Sequence, residues 1–249
     1  MTYLRTKIVK HYNVGFVFRS LVFAIIFYLY LTQKDSFYEL LRTPFLGPVS
    51  TLRILWAVFM VTMLSHLFPS DRKPMSLLKR KEETYREVKG YDELELLRYV
   101  QDQNKKAWYV MLSWLILNAV VGMLYLFNVI DNADLLMLTL FYYLCDYIRI
   151  IFYCPFQSKI MKNKCCVNCR IYDWGHFMMF TPMLFIKDFF SWSLFFTALI
   201  VLIHGEVVYA KYPERFYEGS NQVLQCHNCR DKTCQIKRKL EGRRPPEGD

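Results

Sequence analysis

The sequence predicts an all-α polytopic membrane protein: six transmembrane helices with a tetracysteine metal site on the cytoplasmic face. Three observations predict it. The 249 residues are 54% hydrophobic and 17% aromatic, with a positive mean hydropathy, which is more apolar side chain than a soluble domain buries. Long apolar runs recur along the chain. Cysteines and positive charges fall between those runs in a regular way.

Residues 14–31, 52–68, 108–130 and 135–153 each come near the roughly 20 residues that cross a bilayer core. The chain is then apolar from 171 to 210, too long for one span, and Lys187 and Asp188 interrupt it. The reading is two helices, 171–186 and 192–210, joined by a turn around Lys187 to Ser191. The first of the two carries Pro182 and is short. At about 1.5 Å per residue it covers only some ~24 Å, so it must stand nearly upright or be sheltered by its neighbours.

Charge orients this six-helix transmembrane domain, residues 1–210. With the N-terminus in the cytoplasm, residues 1–13, the loop 69–107, residues 154–170 and the tail 211–249 share one side. Those segments hold 26 of the 32 Lys and Arg. The opposite side holds Lys34, Arg42 and Lys187, and Arg19, Arg53 and Arg149 fall within spans. By the positive-inside rule both termini are expected in the cytoplasm, in a multi-pass protein of the cell (inner) membrane. A five-span alternative exposes the basic tail outside. The first apolar run lacks a small-residue cleavage site and is long enough to remain as an anchor. The net charge of +10 is thereby read as a topology signal, with anionic lipid headgroups rather than nucleic acid as the partner.

The cysteines carry the first functional signal. Cys166-Val167-Asn168-Cys169-Arg170 and Cys226-His227-Asn228-Cys229-Arg230 repeat the pattern C-x-N-C-R on either side of the last apolar stretch. Two sulfurs three positions apart grip one ion from a tight turn, and a second such turn completes a tetrahedron of thiolates. Asn suits such turns because it tolerates left-handed backbone. Cys154, Cys165 and Cys234 are additional ligand candidates, and Cys145 sits within the fourth span. On a reducing cytoplasmic face metal ligation is favoured over disulfides. Zinc and an iron-sulfur cluster both accept four thiolates, and the absence of ferredoxin-type spacings favours zinc. Unligated surface thiols are the plainer alternative.

A second signal lies inside the spans. Tyr142, Asp146, Arg149 and Tyr153 are spaced four, three and four apart and share one helical face. An ionisable residue at that depth costs about 2.5 kcal/mol or more unless paired, so Asp146 and Arg149 are expected to neutralise each other. His66, His176 and His204 fall at similar depth. Three readings fit this belt: an ion pair for helix packing with interfacial histidines, a proton or substrate path, or histidine ligation of a metal or haem between helices. His204 shares a stripe with Ser193 and Thr197, whereas Glu206 points to another side and is expected to reach the interface.

Elsewhere, Lys79-Arg80-Lys81-Glu82-Glu83 reads as a solvated, lipid-facing charge run. Asp92 reads as the N-cap of a helix that starts in the cytoplasm and continues into the third span. Asn118 is expected to hydrogen-bond between helices. The tail after about 237 reads as disordered. Nucleotide-binding, metalloprotease and serine-hydrolase motifs are absent. The resulting expectation is an integral membrane metalloprotein with a redox or electron-transfer role. The alternative is a small transporter or channel-like protein with a structural zinc site and a path through Asp146, Arg149 and His204. A lipid-modifying enzyme is a third reading, with no motif behind it.

Overall fold

The computed structural model describes residues 7–34, 37, 43–46, 49–68, 70–71, 73–163, 165–229, 231 and 234. Helix α1 (Lys7–Thr32) leads to a two-stranded antiparallel hairpin, β1 (Pro44–Leu46) and β2 (Val49–Ser50). Then come α2 (Thr51–Leu67), the single turn α3 (Met75–Leu78), α4 (Glu93–Leu126), α5 (Asn132–Ile151), α6 (Gly175–Phe180) and α7 (Phe189–Lys211).

Local chemistry sets where the long helices begin. The Ser50 hydroxyl accepts from the Arg53 amide, the Asp92 carboxylate from Leu94 and the Asp188 carboxylate from Phe190. Asp131 and Asp134 form a reciprocal capping box at the start of α5. Each cap satisfies amides that the first helical turn leaves without partners. Asp92 therefore opens one uninterrupted helix that carries the third apolar run, as the sequence suggested.

Among the described residues, three helices are long and apolar enough to cross a membrane, within Tyr12–Thr32, Glu93–Leu126 and Phe189–Lys211. Helix α2 is apolar but shorter, and α5, at 20 residues, carries Asp134, Asp146 and Arg149. Large apolar side chains stay exposed along α1, α4 and α7, among them Phe18, Tyr28, Ile116, Leu126, Ile200 and Ile203. Inside, α1 packs along α5 and α2 along α7. Their shared core is built on Met63, Leu135, Phe180, Ile186 and Val201.

The stretch 171–186 departs from the expected span. It is a 3-10 turn (Arg170–Trp174), the six-residue α6 and a second 3-10 turn (Thr181–Phe185), not one helix. Pro182 contributes by removing an amide donor where α6 would continue. The segment lies between α5 and α7, and Ile171, Trp174, Phe177, Met179, Phe180 and Met183 are all buried. The irregular backbone is thus enclosed by its neighbours.

After α7 the chain turns back along the loop between α2 and α4. Val88 donates to the Ser220 carbonyl and Gln222 to the Arg86 carbonyl, and the Arg215 guanidinium reaches the Arg80 carbonyl and the Glu82 carboxylate. This docking covers Lys79 and Arg80. They are 2% and 5% exposed, so the charge run expected to be solvated is in its first half a buried one. The expected disordered tail beyond 237 lies outside the described residues.

Candidate functional site

The polar side chains of the bundle converge around the loop 154–170 and the C-terminal end of α5. Asp146 and Arg149, three residues apart, form the expected pair, with Arg149 Nε and Nη2 donating to one carboxylate oxygen at 3.0 and 2.7 Å. A third member comes from α1: Arg19 Nη1 donates to the other oxygen at 3.0 Å and to the Tyr143 carbonyl. The Arg19 guanidinium lies 3.9 Å from the ring centroids of both Tyr143 and Tyr147, a cation-π clamp. Two guanidinium groups on one carboxylate leave the cluster with one surplus positive charge. Arg149 Nη2 also donates to the Tyr172 carbonyl, which ties α5 to the first 3-10 turn. Gly175 opens α6 against this pair because a Cβ there would overlap the Arg149 guanidinium and the Asp146 carboxylate.

A second polar group lies beside it. Arg80 Nε donates to Asp173 at 3.0 Å and Nη2 stands 2.6 Å from the same carboxylate oxygen as an ion pair, with both side chains nearly out of solvent. Gly205 of α7 gives this guanidinium room, since a Cβ would sit 2.6 Å from Arg80 Nη2. His66 and His176 pack edge to face with ring centroids 4.6 Å apart. His204 lies within electrostatic reach of Arg80 and Asp173. The Nδ1 atoms of all three histidines are buried and make no hydrogen bond among the described residues.

Lys79 organises the first cysteine turn. Its ammonium donates to the carbonyl oxygens of Val167 and Cys169 at 2.8 and 2.9 Å, which fixes the backbone of the turn from beneath. Asn168 does not take the left-handed conformation: the described non-glycine residues with positive φ are Asn128 and Lys162. Its side-chain amide donates instead to Glu218 at 2.8 Å, linking the turn to the segment after α7. Asn228 likewise donates to the Gln222 carbonyl.

Within this frame the cysteines divide. Cys166 and Cys169 face a cavity of about 270 Å³ bounded by α5, the turn of π-helix at Phe156–Met161, the first 3-10 turn and Trp114 of α4. Cys145 and Cys154 line the same cavity, as do Tyr142, Asp146 and Arg149. The Cys166 thiol donates to the Gln157 side-chain oxygen at 3.2 Å, and the Cys154 sulfur accepts from the Gln157 amide at 3.4 Å. Burial pushes the Cys169 thiol up to about 11. Cys165 points the other way, packing with Met75, Leu78 and Leu224 next to Cys229 and Cys234. Cys226 is exposed.

The four thiols of the two C-x-N-C-R turns are thus not gathered at one point. Among the described residues no three His, Cys, Asp or Glu side chains form a metal-ligating group. The physical reason is local: Cys165 and Cys166 are neighbours in an irregular loop and project to opposite sides of it, so the second turn meets Cys165 rather than the expected pair.

Of the expected belt, Tyr142, Asp146 and Arg149 share the cavity, His66 and His176 form a pair, and His204 joins Arg80 and Asp173. Two expectations for single residues change. Asn118 donates within its own helix, to the Trp114 carbonyl at 2.9 Å. Glu206 accepts from Trp174 Nε1 at 2.8 Å and pairs with Arg170 instead of reaching outward. Sequence reading missed the roles of Arg19, Lys79, Arg80 and Asp173. Only Arg19 carried a visible signal, a lone cation in an apolar run. Comparison of the chain with protein-family models, curated proteins and solved structures finds no match.

Proposed function

We propose that the chain is an integral, multi-pass membrane protein with a thiol redox role, in which Cys166 and Cys169 are the electron-carrying pair. The observation that supports this reading is the placement of both sulfurs of one C-x-x-C turn on a single cavity, beside the Asp146/Arg149/Arg19 cluster. A dithiol that closes to a disulfide needs its sulfurs held at short range on one turn, and Lys79 holds that turn. The surplus positive charge favours a ligand or intermediate that gains electron density.

The test is oxidation of the full chain in lipid nanodiscs with diamide, followed by differential alkylation and mass spectrometry. A Cys166–Cys169 disulfide is expected. Both thiols remaining reduced in folded protein would overturn the reading.

A metal role, zinc or an iron-sulfur cluster, is supported by a separate observation: Cys165, Cys229 and Cys234 come from distant segments into one patch. As they stand, these three thiols do not form a ligating group, so an ion would have to draw them together, and it would then clamp the segment after α7 to the loop before α6. Metal analysis of anaerobically purified protein tests it. A stoichiometric metal lost in the Cys229→Ser variant is expected, and a metal-free, stably folded protein removes it. The transport reading draws on the same intramembrane belt, Asp146, Arg149 and His204.

A further inference from the structure

We propose that the cavity beside Cys166 and Cys169 receives the ring of a quinone, which takes two electrons from the reduced thiol pair. This rests on the thiol redox reading and names its acceptor.

Four features point to that chemical class. The cavity wall is almost wholly apolar and aromatic, which suits a lipid-borne ring and penalises a nucleotide or peptide that must shed its hydration. At about 270 Å³ it falls just below the roughly 300–1,000 Å³ of sites for drug-sized ligands, so it holds one ring and leaves a tail outside. Trp114 packs against Tyr142 and Phe156 with ring centroids 5.0 and 6.3 Å apart and planes at 57° and 79°, so the wall offers aromatic faces and edges to a ring. Phe141 and Tyr153, which also line the cavity, are 47% and 44% exposed, so its mouth opens on the outer surface of the bundle.

Polar recognition comes from Arg149. Asp146 and the Tyr172 carbonyl occupy its Nε and Nη2, while Nη1 makes no hydrogen bond among the described residues and is available to a carbonyl oxygen. The second guanidinium, Arg19, keeps that end of the cavity positive as the ring oxygens gain charge.

The step balances without another reactant. The S–H bonds of Cys166 and Cys169 break and an S–S bond forms between the two sulfurs. The two electrons and two protons released pass to the quinone, whose carbonyl oxygens become the hydroxyls of a hydroquinone.

The experiment uses the full chain in lipid nanodiscs, reduced, desalted and kept anaerobic, with decylubiquinone as the probe. Expected are one hydroquinone per chain, read by absorbance, and a Cys166–Cys169 disulfide, read by mass spectrometry. Cys166→Ser and Cys169→Ser each abolish both, whereas Leu97→Ala, at an exposed position of α4 away from the cavity, retains both. Met178→Trp fills the cavity and slows hydroquinone formation by at least about ten-fold while diamide still closes the disulfide. If diamide closes the disulfide and decylubiquinone does not, in protein with an unchanged melting curve, the quinone assignment falls and the thiol redox reading stands. If neither oxidant closes it, both fall.

Discussion

The Arg80 guanidinium closes on the Asp173 carboxylate at 2.6 Å, with the two side chains 3% and 6% exposed. A pair so fully withdrawn from solvent is costly to break on one side only, because the survivor is a buried, unpaired charge. Arg80→Met and Asp173→Leu are each expected to destabilise the protein by about 3–5 kcal/mol, and the double replacement to recover most of that loss. Thermal unfolding of the three variants in nanodiscs checks it. Additive losses in the double variant would show that the two groups do not act as a pair.

Lys79 acts on the cysteine turn through its backbone. Lys79→Met keeps the aliphatic bulk and removes both carbonyl contacts, each a charge-assisted bond worth about 1.5–3 kcal/mol. The expected outcome is a looser turn whose Cys166 and Cys169 react faster with maleimide, while the exposed Cys226 is unchanged. Equal rates in variant and parent would mean that the turn holds itself.

Removing one member of the Arg19/Asp146/Arg149 cluster is not equivalent to removing another. Arg19→Gln leaves a neutral pair within α5, whereas Asp146→Asn leaves two guanidinium groups facing each other without an anion. The second is expected to cost about 3–5 kcal/mol and the first clearly less. Ranking the two variants by melting temperature decides it, and the reverse order would contradict the charge count.

The Cys169 thiol gives the pH dependence a sign. Burial raises it to about 11, against about 8.5 for a free cysteine. The unfolded chain therefore ionises first on raising the pH. The contribution of this thiol to stability is full below about pH 8.5 and is lost as the pH climbs to about 11. The stability difference between the parent and Cys169→Ala is expected to be flat through neutral pH and to narrow over that alkaline window. A difference that narrows below pH 8 would be inconsistent with a buried neutral thiol.

These residues also mark what a single sequence reveals. The Asp146 and Arg149 pair was legible because helical spacing places both on one face, and the start of α4 because Asp92 is a capping residue ahead of an apolar stripe. The burial of Lys79 and Arg80 was not. A short run of charges has the same local signature whether water or folded chain covers it, and the cover comes from residues more than 130 positions later. The division of Cys165 from Cys166 was equally hidden, since an irregular loop has no period from which side-chain direction follows. The break of 171–186 into 3-10 turns depends on neighbours that enclose it, and an apolar run states only that it will be buried.

That enclosed stretch bears on how the molecule is made. In the bilayer proposed above, a segment broken into short 3-10 and α turns cannot partition into lipid by itself as a continuous helix does. It has its neighbours only once α5 and α7 stand on either side, so the cavity and its sulfur pair are complete only after α7 is in place. Nascent chains stalled before α7 emerges would then hold these thiols open to water.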